Sequence, residues 1–386
     1  MMTAQGLTSQ PIVPIEAKST SARGLYVHIP FCERKCSYCA FYVTTRDQDL
    51  VDRFIESVAR ELGSYAPLPS VETIYFGGGT PSLLTAVQLE RLCDVVHARI
   101  PKEAIVEWSI ESNPGTYTPD KVAVLAAAGV NRVSIGAQSF DDTMLKRLSR
   151  THGGADIGAT VEIVRSGGIE NINLDLIASI PGIDASTWRS TLDRALALEP
   201  EHLSVYALSL DEGSALAKLA GLGRYALTTD DEQLGALHEA RDALAAATME
   251  PYEISNFARQ GYRCRHNLSC WRGEDYIGLG PSAASRVGHA RWSNVSDLRQ
   301  YISQMEAQGV PERDVETLDA RGHAAERLAF GIRMTEGVPV RWGDGFEDVL
   351  TQIESHGLLK RLDQSFRLTA RGRDLADSVA REILGA

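Results

Sequence analysis

Leu25-Tyr26-Val27-His28-Ile29-Pro30-Phe31-Cys32-Glu33-Arg34-Lys35-Cys36-Ser37-Tyr38-Cys39 is the stretch on which the fold turns. Its first five residues alternate, with Leu25, Val27 and Ile29 on one side and Tyr26 and His28 on the other. That is the period of a strand buried on one face only. Its end places three cysteines within eight positions, directly after the strand. Thiolates are the soft ligands that iron–sulfur clusters require, and three of them can hold one cubane with its fourth iron open. A zinc knuckle is the competing reading; it needs a fourth ligand, for which His28 is the nearest residue.

Further short β-branched runs follow near Thr73–Phe76, Val106–Ile110, Arg132–Ile135, Asn171–Leu176 and Leu203–Tyr206, with helical patterns between them. Thr85 and Gln88 have capping-box spacing, and Thr118-Pro119 and Gly129 mark the two ends of another helix. Strand–helix repetition predicts a parallel sheet. Helix-covered open sheets are apolar on both faces, whereas Val106, Trp108 and Ile110 oppose Glu107, Ser109 and Glu111, and Ile172, Leu174 and Leu176 oppose Asn171, Asn173 and Asp175. The pattern predicts an α/β fold, an incomplete six-stranded barrel with a polar lumen over 21–255.

Residues 1–20 read as a mobile tail without the features of a secretory signal. Asp230–Met249 reads as one helix. Residues 256–309 read as a connecting segment that carries His266-Asn267-Leu268-Ser269-Cys270-Trp271. Residues 310–386 read as a smaller, mostly helical, winged-helix-like C-terminal domain, with helices over Phe346–Leu358 and Leu368–Ile383. Such units often bind DNA, but residues 301–386 hold 11 basic and 15 acidic residues. The whole chain of 386 residues has a net charge of -12, which argues against nucleic acid and anionic lipid as partners. No apolar run is long enough to span a membrane. The cysteine crowding and the missing signal point to a cytoplasmic protein with a metal centre rather than disulfides.

The cluster loop, with Tyr38 before its last cysteine, resembles that of the radical S-adenosylmethionine (SAM) superfamily. That resemblance implies a partial (β/α)6 barrel whose open iron is chelated by SAM, cleaved reductively to a 5′-deoxyadenosyl radical. Leu25–Cys32, Phe76-Gly77-Gly78-Gly79-Thr80-Pro81-Ser82, Ile110-Glu111-Ser112-Asn113-Pro114-Gly115, Gly129–Phe140 and Asn173-Leu174-Asp175-Leu176 together resemble the oxygen-independent coproporphyrinogen III oxidase family. By that likeness Tyr26, Tyr38, Gly78, Gly79, Thr80, Glu111, Gln138, Arg150 and Asp175 fall at SAM-contact positions, and Cys32, Cys36 and Cys39 hold a [4Fe–4S] cluster. An isolated glycine run reads as a plain strand-to-helix turn, but its place beside the cluster strand favours a ligand loop; a surface ion pair is the lesser reading of Arg150.

True oxidases of that family carry a further cysteine two residues after the third and a longer N-terminal extension. Here Phe41 stands at that place and 31 residues precede Cys32. Both departures resemble the HemW group of haem chaperones, which implies haem and an acceptor haem protein as partners, and an electron donor for the cluster. Oxidative decarboxylation of coproporphyrinogen III is the alternative. His266–Trp271 is similar to a His-Asn-x-x-Tyr-Trp stretch of that group, with Cys270 in place of the tyrosine. His266 is therefore the first candidate for a haem ligand and Cys270 the second, beside the plainer reading of a hydrogen-bonding loop histidine. Cys93 reads as core, and Cys264, His152 and His289 have no assigned role.

Overall fold

The computed structural model describes residues 22–68, 70–225 and 227–386. The expected tail, 1–20, lies outside the described residues.

Six parallel strands form the centre: β1 (Gly24–Ile29), β2 (Thr73–Gly78), β3 (Glu107–Ser112), β4 (Arg132–Gln138), β5 (Asn171–Ala178) and β6 (His202–Ala207). They pair in sequence order, each parallel to the next. Their alternation works as read. Leu25, Val27, Ile29, Trp108, Ile110, Ile172, Leu174 and Leu176 are wholly buried against the helical layer, and the opposite face lines a polar lumen. Burying each such side chain contributes about 1.5–3 kcal/mol, so a one-residue slip of any strand is strongly disfavoured. Val106 lies just before β3 and is exposed, because the strand starts one residue later than expected.

Capping largely follows the sequence. The helix Ala86–His97 carries the Thr85–Gln88 capping box, and Pro119 opens Pro119–Ala128, which Gly129 closes in a left-handed conformation at φ 99°. Thr118, however, forms no side-chain cap bond. The helix from Asp230 stops at Ala246, before the expected Met249, where Thr248 takes a φ of 59°.

The segment 256–309 is more regular than a connection. Asn256–Ala258 pairs antiparallel with β6, and Tyr276–Leu279 pairs parallel with β1. Ala284–Val287, Ala290–Asn294 and Arg313–Thr317 continue that edge antiparallel, so the sheet reaches 12 strands and crosses the expected boundary at 310. The helix Arg265–Trp271 lies between the two edges in sequence.

Helices Ala320–Gly331, Glu347–Ser355 and Ala376–Leu384 enclose a second core of Leu328, Ile332, Phe346, Ile353, Val379 and Ile383. The antiparallel pair Leu359–Arg361 and Ser365–Leu368 forms the wing. Leu368 thus ends a strand, where a helix start was expected, and the following helix begins at Ala370 behind the cap Thr369.

Candidate functional site

The barrel lumen opens at the C-terminal ends of its strands into a cavity of about 470 Å³. Cys32, Cys36 and Cys39 all line it, as do Tyr38, Gly78, Gly79, Thr80, Glu111, Gln138, Arg150 and Asp175. Of the expected site residues on the barrel, Tyr26 alone stands outside this lining; its hydroxyl bonds His28 Nδ1 at 3.0 Å. His28 is closed off in turn, with Nε2 3.1 Å from the Tyr42 carbonyl oxygen, so it is not turned to the cysteines as a fourth ligand. Among the described residues no three histidine, cysteine or acidic side chains converge on a point that would suit a single metal ion. Three thiols lining one cavity are the donor set that an iron–sulfur cluster takes.

A ring of hydrogen bonds fixes the cysteine loop against the strand ends. Cys32 Sγ lies 3.6 Å from Thr80 Oγ1, which accepts from Asn113 Nδ2 at 3.0 Å. Asn113 Oδ1 accepts from Arg150 Nη2 at 2.6 Å, and Arg150 Nη1 donates to Cys36 Sγ and to the Tyr38 hydroxyl, both at 3.4 Å. Arg150 therefore forms no surface ion pair but bridges β3, the Gly136 carbonyl and the cysteine loop. Burial pushes the Cys32 thiol up to about 11 and raises that of Cys39. The bare Cys32 and Cys39 thiols stay protonated at neutral pH, and a bound metal centre is what would deprotonate them.

Two glycines let the β2 loop come close. Gly78 has φ 106°, and a Cβ there would stand 2.6 Å from the His28 ring. A Cβ on Gly79 would stand 2.7 Å from the Phe31 carbonyl oxygen. The amide of Gly78 donates to Glu111 Oε2 at 3.0 Å, and the Tyr75 hydroxyl to Oε1 at 2.9 Å. Burial, then the charge of Asp175, raises Glu111 to about 7. Asp175 is also raised by burial and accepts from Ser134 Oγ at 3.0 Å and Asn173 Nδ2 at 2.8 Å. Gln138 reaches the cavity from a left-handed backbone at φ 65°, a conformation few non-glycine residues hold without a role.

Asn113, Tyr75 and Arg132 were not singled out from the sequence. Asn113 lies inside a quoted block, which was the available signal. Tyr75 and Arg132 show only as lumen-side residues by alternation. Arg132 is 2% exposed and lines the cavity, and its Nε has no hydrogen-bond partner.

His266 lies elsewhere. It is buried at the N-terminal ends of β1 and β2, with Nδ1 3.0 Å from Thr73 Oγ1 and its ring stacked on Tyr75 at 5.2 Å. A side chain on Gly24 would come within 3.2 Å of the ring. Burial lowers its pKa to about 4, and it does not line the cavity. Haem ligation needs a ring nitrogen that the iron can reach; here Nδ1 is taken by Thr73 and the residue is 6% exposed. Cys270 is likewise absent from the cavity lining, and burial raises its thiol to about 12. Only Asn267 of the motif reaches the cavity. Cys93 is core, as read, and Cys264 donates to Glu107 Oε1 at 3.4 Å. His152 bonds the Ala137 carbonyl, and His289 stacks on His323 at 4.5 Å.

Residues 26–195 match the family model of the radical SAM superfamily. Heme chaperone HemW of Bacillus subtilis (strain 168) is 32% identical over 376 residues, covering 94% of this chain and 99% of that protein. Heme chaperone HemW of Escherichia coli (strain K12) is 38% identical over 370 residues, covering 92% and 96%. The solved coproporphyrinogen III oxidase HemN from Escherichia coli, a radical SAM enzyme, superposes with a TM-score of 0.81 over 96% of this chain and 92% of that one. At 23% identity that likeness speaks for the fold alone. With a partial barrel, three cysteines at its mouth and near full-length similarity of this kind, the chain belongs to the HemW-type family of radical SAM proteins.

Proposed function

We propose that this protein binds haem and passes it to acceptor haem proteins, with a [4Fe–4S] cluster on Cys32, Cys36 and Cys39 and SAM in the lumen beside it. The observation that carries this reading is the similarity to proteins named Heme chaperone HemW over more than nine-tenths of the chain. The residue at the fourth-cysteine place, Phe41, agrees with it.

The residues suit both groups. Arg150 donates a hydrogen bond to the Cys36 sulfur and holds the cysteine loop against the strand ends. Glu111 and Asp175 offer carboxylate oxygens to the hydroxyl and ammonium groups of SAM, and the Gly78–Gly79 backbone leaves room for its methionine part. A reduced cluster in this place supplies one electron to a sulfonium ligand. An acceptor haem protein and an electron donor for the cluster complete the proposal as partners. No helix among the described residues is long and apolar enough to cross a membrane.

The test is an anaerobic titration of the cluster-reconstituted protein with haem, followed by mixing with apomyoglobin. Saturable binding and transfer of the haem absorbance to myoglobin are expected. Absence of haem binding would overturn the proposal. Decarboxylated product from coproporphyrinogen III, SAM and a strong reductant would replace it with the oxidase reading.

A further inference from the structure

Resting on the haem reading, we infer that haem docks across the mouth of the barrel, with its ring on Phe41 and its carboxylates on Arg34 and Lys35. The cavity volume of about 470 Å³ holds one molecule of SAM's size, not a porphyrin beside it. A porphyrin that reaches this site has to lie across the opening.

The opening has the chemistry of such a ligand. Phe41 is 68% exposed, although it belongs to the cavity lining, as does Val43 two residues on. Phe41 thus offers an uncovered aromatic face at the edge of a concave site. At the end of β6, Tyr206, 40% exposed, and Leu208, which packs with Tyr38 in a small apolar cluster, also line the cavity. These residues offer an apolar aromatic rim to a flat apolar disc.

One side of that rim is basic. Arg34 and Lys35 line the cavity, and neither forms an ion pair with another described residue. Lys35 Nζ donates to the Phe41 carbonyl oxygen at 3.1 Å, which ties the cation to the backbone of the apolar residue. Asp211, in the loop after β6, is an acidic residue that also lines the cavity. A dicarboxylate is thus drawn to the cysteine-loop side and repelled from the other, which fixes the orientation of the ring edge. Among the described residues no histidine or methionine lines the cavity, so the docking does not depend on His266, and a ligand held by its faces and edge is easily passed on.

The experiment titrates the cluster-containing full chain with haem and with haem dimethyl ester, which lacks the carboxylate charges. Phe41→Ala is expected to weaken both ligands on the order of tenfold, with Phe41→Leu restoring most of the loss. Arg34→Gln is expected to weaken haem several-fold and leave the ester unchanged, with added salt closing the difference. His266→Ala is expected to retain haem affinity wherever the cluster absorbance shows it folded. Wild-type binding that neither Phe41→Ala nor Arg34→Gln alters would overturn the docking site and leave the haem reading standing. An ester as sensitive to Arg34→Gln as haem would overturn the carboxylate contact. A wild-type protein that binds no haem would overturn both.

Discussion

Glu111 shows how one residue couples the site to pH. Its folded pKa of about 7 lies above the ordinary carboxylate range because burial penalises the charge. The folded state therefore holds a proton more tightly than the unfolded chain. Stability from this group is fully present below the unfolded pKa and is lost as pH rises toward 7. The ligand-free protein is expected to melt progressively lower from about pH 5 to pH 8, more steeply than Glu111→Gln does. Parallel slopes for the two proteins would refute it. The same substitution is expected to weaken SAM about tenfold or more by calorimetry, because an uncharged amide replaces a carboxylate acceptor. Gly79→Ala is expected to do comparable harm from the other side, since its methyl would meet the Phe31 carbonyl and push the cysteine loop outward. Loss of cluster loading at unchanged secondary structure is the readout.

At the scale of elements, the short helix Arg265–Trp271 is held in place by a carboxylate. Glu107 accepts from the amides of Arg265 at 2.8 Å and His266 at 3.1 Å, and from the Cys264 thiol. Glu107→Ala strands those donors and is expected to cost about 3 kcal/mol, with faster hydrogen exchange confined first to residues 264–270. Uniform destabilisation without that local signal would contradict the capping role. This element also marks how far the sequence could be read. The six barrel strands were legible as β-branched runs between helical patterns, and the first, third and fifth show one apolar face in strict alternation over five or more residues. The edge strands were not, since Asn256–Ala258 and Ala284–Val287 are too short to show a period. Arg286, buried in one of them, pairs with Glu326, 3.6 Å away and far along the chain. The cysteines, the glycine loop and the lumen carboxylates were legible as motifs, whose spacing is local. The bridging of Asn113 to Arg150 and the stacking of His266 on Tyr75 depend on contacts between distant elements, which no local pattern records.

Across the whole molecule, the C-terminal unit is anchored on the end of that same helix. Trp271 meets Phe330 edge-on at 6.4 Å and lies under Arg333 at 5.1 Å, and Arg272 pairs with Glu336 at 2.9 Å. A second anchor joins Asp374 to His238 and Arg241 of the helix that precedes β6's partner strand. Trp271→Ala removes aromatic and cation–π contacts together worth about 1–3 kcal/mol. It is expected to split a single unfolding transition into two, with earlier proteolysis after residue 310; one unchanged transition would count against the anchor. The placement of residues 259–275 has a wider consequence. They carry the chain from the strand beside β6 to the strand beside β1, across the one side of the barrel that no ladder closes. This stretch is a hinge pin through an open seam. If the staves part to admit a broad guest at the rim, the pin must shift, and Trp271 would carry that movement to the C-terminal unit.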